Sequence, residues 1–427
     1  MTLLALPRVR PRTALAAVIC LLSFTAFWYA QRAADVSMID VMVYRAEGAT
    51  VRAGGDLYAL RATPVGLPAT YPPFAALLFT PLTLVSTETM RTLATLGNLA
   101  LVVVLARYSL LFVGHARVAA VWWVAAAAVW SEPVWGTLRY GQVNLLLAVL
   151  VLWDLTRRGR HPLAGVGIGI AAAIKLTPGL FIAFLLLTGV AAAVRQGGGV
   201  RAAFHGPAGV WLRPARVAVA TFAGASLLTA VVLPYDSRRF WTEVIFDTSR
   251  AGHTEQTANQ SLRGVLARLL HTADPGAVWL LAAAVVGAAG LTVAVASALR
   301  GEHAWAAVAC GTTALLVSPV SWSHHWVWCV PMVVLLAREA HRRGGAARWA
   351  AVWTTAAVFY SFAVWWVPHG PWRPELHQNA PQFTLSALYT LTGCAFLVIA
   401  GLRALRSAPR LGAAPPPPRR AQAVANE

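Results

Sequence analysis

The sequence predicts an all-α polytopic membrane protein, and three observations carry that prediction. The chain has 427 residues, of which 58% are hydrophobic and 12% charged, too apolar for a soluble protein of this length. Apolar runs recur along nearly all of it, each close to the length needed to cross a bilayer core of roughly 30 Å. The net charge is +19, with the basic residues mostly in short segments between those runs. On a soluble chain this charge would point to nucleic acid. Here the positive-inside rule accounts for it, and no nucleic-acid partner is expected.

The first apolar run, about 14–31, follows Arg8, Arg10 and Arg12 and reads as an uncleaved helix with a cytoplasmic N-terminus. A loop of about 32–74 comes next. Within it, Val41 to Val51 suits a short interfacial helix ended by Gly54-Gly55-Asp56. The piece at about 74–86, interrupted by Pro81, is too short to span and reads as re-entrant or interfacial. Further spans are predicted at about 90–113, 117–131, 142–156, 163–175, 178–194, 217–233, 277–299, 304–317, 326–338, 349–367 and 383–403, which makes about 12 transmembrane helices. A second large loop covers about 234–276. Residues 1–411 read as one integral membrane domain, and 412–427, with consecutive prolines and an Arg pair, as a disordered cytoplasmic tail.

Loop charges set the orientation. Arg157, Arg158 and Arg160, Arg195 to Arg216, Arg338 to Arg348, and Arg403 to Arg420 fall in loops placed in the cytoplasm. Most acids fall in loops placed outside. The expectation is a multi-pass plasma-membrane protein with both termini cytoplasmic and the 32–74 and 234–276 loops extracytoplasmic. Polar residues that interrupt helix ends then converge outside. They are Asp40 and Tyr44; Glu132, Arg139, Gln142 and Asn144; Lys175; Asn259, Gln260 and Arg263; and Trp322, His324 and His325.

The first loop holds Asp35, Asp40, Glu47 and Asp56, in a chain with 16 acids. A carboxylate just outside a span is a candidate general base, although a solvated loop carries such acids too. Lys175 is the single lysine and sits in an apolar hairpin, where it either snorkels or meets an anion such as a lipid phosphate. Adjacent histidines on a helix point about 100° apart, so His324 and His325 do not suit one metal. They serve either a phosphate or sugar, or an aromatic interface belt with Trp322. Cys20, Cys310, Cys329 and Cys394 have no metal spacing, and no metal site is assigned. There is no Walker loop, dinucleotide fingerprint or Asp-x-Asp. A transferase of this kind would need a lipid-borne donor and no cofactor.

These pieces resemble glycosyltransferase family 87, membrane mannosyltransferases of the GT-C fold. The resemblance rests on Asp40-x-x-x-Tyr44 with Gly55-Asp-Leu-Tyr58, Tyr71-Pro-Pro-Phe74, Tyr140-Gly-Gln-x-Asn144, Lys175-Leu-Thr-Pro178, Asn259-Gln-Ser-Leu262 and Ser318-Pro-x-Ser-Trp-x-His-His325, in that order. It implies polyprenyl-phosphate-mannose as donor, a glycolipid or cell-wall glycan acceptor, and an inverting transfer that forms an α-(1→2) mannoside. It also implies Asp40 as the base. Lys175, His324 and His325, with Arg139 or Arg263, would hold the donor phosphate. Tyr44, Tyr71, Gln142, Asn144, Asn259, Gln260 and Trp322 would bind substrate. A flippase, a ligase for whole lipid-linked glycans and a non-catalytic envelope-assembly protein are the alternatives. The flippase predicts inverted repeats, and none is visible.

Overall fold

The computed structural model describes residues 11–159, 161–197 and 206–406. Arg8, Arg10, Arg160, Arg201 and the 412–427 tail lie outside the described residues. Among the described residues there is no β-strand, only the isolated bridges Ala62 with Leu67 and Asn259 with Trp322.

The chain runs through α1 (Pro11–Ala33) and turns at Asp35 in a left-handed conformation, φ 43°. It then forms α2 (Ile39–Arg52), where the short first-loop helix is predicted. Val41, Tyr44, Glu47 and Gly48 are buried, so α2 lies on the protein rather than in water. Gly48 is required there, because a Cβ would come within 2.6 Å of the Phe79 carbonyl oxygen. α3 (Pro73–Phe79) and a 3₁₀ turn, Thr80–Leu84, make up the short apolar piece. Arg45 fastens α2 to this piece by donating to the carbonyls of Leu82 and Val85.

α4 (Thr87–Phe112) leads to α5 (Val118–Ala128) and α6 (Glu132–Tyr140), which are bent by 74°. The bend has a local cause. Ser131 is extended and its hydroxyl donates back to the Ala128 carbonyl, while Pro133 opens α6 without needing an N–H partner. α7 (Asn144–Arg157), α8 (Val166–Ile174), α9 (Leu180–Arg195) and α10 (Gly206–Val232) follow. The second large loop is structured by α11 (Pro234–Thr242), two 3₁₀ turns at Val244–Phe246 and Thr248–Ala251, and α12 (Leu262–Leu269). α13 (Gly276–Leu299), α14 (His303–Val317), α15 (Cys329–Arg343), α16 (Ala346–Tyr360), α17 (Ala380–Ser386) and α18 (Leu388–Arg406) complete the bundle.

Every stretch predicted to span holds a helix. Among the described residues six helices are long and apolar enough to cross a membrane, or up to seven if the bent pair counts as one span. The remaining predicted spans are shorter, and α8 with 9 residues and α14 with 15 are also largely buried. At 1.5 Å rise per residue, α8 covers less than half of a bilayer core, so the sequence-based count of about twelve full spans exceeds what helix length supports. Small residues bring the helices together. Gly290 on α13 meets α14 so closely that a Cβ would lie 2.1 Å from Thr313 Oγ1.

The two large loops clasp each other. Arg239 on α11 pairs with Asp56 at 2.6 Å, Asp236 Oδ1 accepts the Leu57 N–H at 3.0 Å, and Arg250 donates to the carbonyls of Tyr58 and Ala69. Buried Arg268 ties the second loop to the C-terminal helices, donating to the carbonyls of Glu255, Gln256, Asn259 and Ser386.

Candidate active site

The clasped loops roof a cavity of about 560 Å³ that reaches from α2 to the ends of α8, α9 and α14. α2 brings Asp40, Tyr44 and Glu47 to it along one stripe, at positions i, i+4 and i+7. The turn after α6 supplies Gln142. That turn depends on Gly141, which caps α6 at φ +73°, and a Cβ on it would lie 2.8 Å from Val41 Cβ. Only glycine both adopts this backbone and lets α2 pack so near.

Gln142 organises the first wall. Its Nε2 donates to Asp40 Oδ2 at 2.8 Å, and its Oε1 accepts from Tyr44 OH at 2.8 Å and Tyr71 OH at 3.1 Å. The tyrosine hydroxyls are 3.0 Å apart. Because Oε1 is taken by two hydroxyls, the amide is oriented with its NH₂ toward the carboxylate. Asp40 is half-buried, and burial pushes its pKa up to about 6, against the opposing pull of the Gln142 bond and the Lys175 charge. A carboxylate so placed is ionised at neutral pH yet basic enough to take a proton.

Lys175 and His325 form the opposite wall. Lys175 sits at the break between α8 and the Thr177–Gly179 turn, with extended backbone. Its Nζ is 3.0 Å from His325 Nε2 and 3.4 Å from Asn144 Oδ1. His325 Nδ1 accepts the Trp322 N–H at 3.2 Å, so the neutral ring carries its proton on Nε2, facing the lysine. Two donors then meet, and an anionic oxygen seated beside them would satisfy both. Trp322 also lines the cavity and packs on Gly252 of the roof.

Of the residues singled out in the sequence, Asp40, Tyr44, Tyr71, Gln142, Lys175, Trp322 and His325 line this cavity, and Asn144 stands directly behind Lys175. The others do not reach it. His324 turns the other way, edge-on to Tyr140, and its carbonyl accepts from Thr137 Oγ1 at 2.6 Å and Asn144 Nδ2 at 3.0 Å. Arg139 is half-buried at the end of α6, away from the lining. Arg263 donates to Thr248 Oγ1, pairs with Asp274 at 3.4 Å and lies over Trp279, so it holds the roof instead of facing the cavity.

Asn259 and Gln260 are fully buried, and their amides are spent on backbone. Asn259 accepts the Ser321 N–H, and Gln260 donates to Ser386 and accepts from Tyr389. Glu132 is likewise engaged, accepting from Ser323, Trp365 and Tyr389. Sequence reasoning assigned no role to the roof residues Thr248 and Arg250, and it named the buried Glu47 only as one of four first-loop acids. Their only signal was membership of the two polar loops.

The profile of glycosyltransferase family 87 matches residues 69–319, more than half of the chain and all of the cavity lining except α2, Leu67, Pro68 and the turn from Val320 to His325. The chain belongs to glycosyltransferase family 87. Two curated relatives are named polyprenol-phosphate-mannose-dependent alpha-(1-2)-phosphatidylinositol mannoside mannosyltransferase. The one from Mycobacterium tuberculosis is 31% identical over 365 residues, covering 77% of this chain and 79% of the relative. The one from Mycolicibacterium smegmatis is 35% identical over 359 residues, covering 77% and 75%. A Mycobacterium tuberculosis relative named for phosphatidylinositol pentamannoside is 32% identical over 320 residues, covering 73% and 69%. Among solved structures, ArnT from Cupriavidus metallidurans bound to undecaprenyl phosphate aligns with a TM-score of 0.44 and 14% identity, over 91% of this chain and 77% of that one. In this family 87 protein Asp40, Tyr44, Tyr71 and Gln142 stand on one wall of the cavity and Lys175 and His325 on another, whereas Asn259, Gln260 and His324 lie away from it.

Proposed function

We propose that this family 87 protein transfers mannose from polyprenyl-phosphate-mannose to a glycolipid or glycan acceptor, with inversion, forming an α-(1→2) mannoside. The observation that carries the reading is the cavity itself, with a carboxylate on one wall and a lysine–histidine donor pair on the other. Asp40 accepts the proton of the acceptor hydroxyl as that oxygen forms a bond to the anomeric carbon. The bond from that carbon to the phosphate oxygen breaks, and its electron pair leaves with the polyprenyl phosphate. Lys175 Nζ and His325 Nε2 stabilise the departing anion by hydrogen bonds. A β-linked donor attacked from the opposite face yields the α-product. The relatives' names supply the donor and the linkage.

We infer that the reaction takes place on the extracytoplasmic face. A second cavity, lined by Arg300, Arg343, Arg348, Arg403 and Arg406, lies at the N-terminal end of α14, whereas the active cavity meets its C-terminal end at Val317. An arginine-rich end opposite the site supports this sidedness and a cytoplasmic position for both termini. The test uses purified protein, radiolabelled polyprenyl-phosphate-mannose and phosphatidylinositol mannosides as acceptors. Labelled product from the wild type, and none from a folded Asp40→Asn variant, is the expected result. Absence of transfer by the wild type to any mannoside acceptor would overturn the assignment.

A further inference from the structure

Glu47 lies two helical turns beyond Asp40, about 10 Å along the axis of α2, and lines the same cavity. It is 2% exposed, and neither carboxyl oxygen has a hydrogen-bond partner among the described residues. A buried carboxyl with both oxygens unpaired is costly, and a native site retains one only for a reason. The surroundings offer no cation to pair with it. Against this end of α2 pack α3 and the Thr80–Leu84 turn, which carry no ionisable side chain. Asp40 and Tyr44 face it from its own helix, and Tyr58 and Tyr71 from the segment that follows. Lys175 stands on another wall beside His325, while Asp247 and Arg250 belong to the roof, with Arg250 held by the carbonyls of Tyr58 and Ala69.

We propose that Glu47 is a specificity residue of the acceptor half of the site: a neutral carboxylic acid that donates a hydrogen bond to an acceptor oxygen adjoining the hydroxyl that attacks. Its distance along α2 puts it beyond the reacting atoms. It shares the α2 wall with Asp40, whereas Lys175 and His325 stand together on another wall of the cavity. Burial and the nearby Asp40 charge push its pKa up to about 8, so at neutral pH it holds the proton that such a bond needs. An acid kept neutral by its site in order to donate a hydrogen bond is an established use of burial. The inference rests on reading this cavity as the transfer site, and does not require Asp40 to be the base.

The experiment measures transfer from polyprenyl-phosphate-mannose to a phosphatidylinositol mannoside by wild type, Glu47→Gln and Glu47→Leu, with folding checked by thermal unfolding. Glu47→Leu is expected to raise the acceptor KM about three- to tenfold, the size of one neutral hydrogen bond, and to leave the donor KM unchanged. Glu47→Gln keeps a neutral donor, so its acceptor KM at pH 7 stays close to that of the wild type. The wild type should lose acceptor affinity as pH rises through about 8, where Glu47 ionises, and Glu47→Gln should not. Deprotonation of Lys175 would leave that alkaline loss intact in Glu47→Gln, which would overturn the proposal. So would an unchanged acceptor KM in folded Glu47→Leu. If Glu47→Leu does not fold, the Glu47→Gln pH profile decides. A failure of Asp40 as base would appear separately, as turnover by Asp40→Asn.

Discussion

At the scale of single residues, the proposed chemistry turns on what surrounds Asp40. Because its pKa is raised from 3.8 to about 6, the carboxylate form is lost as pH falls through about 6, and activity should fall with it. A pH–rate profile of kcat/KM is the measurement. Asp40→Asn should retain the fold and lose about 10²–10⁴-fold in rate, whereas Asp35→Asn, at an exposed turn outside the cavity, should keep most activity. Gln142 acts on this through its 2.8 Å bond, which favours the ionised form. Gln142→Leu should therefore move the acid limb above about pH 6, besides releasing Tyr44 and Tyr71; an unmoved limb would mean that the bond does not tune the base. These site residues were readable in the sequence as polar interruptions of apolar runs. Which of two neighbours faces inward was not. His325 turns into the cavity and His324 away because of how the Ser323–Trp328 turn packs on α6, where Gly136 would admit no closer side chain to His324. Asn259 and Gln260 look like sugar-binding amides until their backbone partners, Ser321, Ser386 and Tyr389, are brought in from 62, 126 and 129 residues away.

At the scale of elements, every run predicted to span holds a helix and the misjudged quantity was length, while α6, α11 and α12 lie in segments read as turn or loop. A run of apolar residues does not report where a helix breaks. The α5–α6 bend follows from Ser131 and Pro133, and the Lys175 break from extended backbone before Pro178, both of which put polar groups at the cavity. Gly141 tests how far the site depends on element packing. With φ +73° and Val41 Cβ 2.8 Å from a would-be Cβ, Gly141→Ala combines backbone strain with a clash. A loss of roughly 1–3 kcal/mol is expected, seen as a lower thermal midpoint in detergent, together with reduced turnover as Gln142 shifts from Asp40. Asp56 works differently. Its Oδ1 accepts the N–H groups of Tyr58 and Ala59 and it pairs with Arg239, so Asp56→Ala should lower stability by roughly 1–2 kcal/mol while the transfer step itself survives. A chemical step lost at normal stability would instead make Asp56 part of the reaction.

At the scale of the whole molecule, the question is which end of the bundle faces the cytoplasm, since a lipid-borne donor is useful only on the side where its head group is presented. The chain's positive charge is not spread evenly. Five arginines surround the cavity at one end of α14, with Glu302 and Glu339 among them, and the carboxylate-bearing cavity opens at the other. The 361–379 segment joins the end that holds the Asp40 cavity, because Arg373 pairs with Glu255 of the second large loop. Trp372 within it is 91% exposed, while Ala346 opens α16 at the arginine-rich end and is exposed too. Cysteines placed at these positions report sidedness directly. The native cysteines interfere little, since Cys20, Cys310 and Cys329 are buried and Cys394 is half-buried. In intact cells, Trp372→Cys should react with a membrane-impermeant maleimide, and Ala346→Cys should react only after permeabilisation. The reverse pattern would place the Asp40 cavity on the cytoplasmic face and remove the reason for a polyprenyl-phosphate donor over a nucleotide sugar.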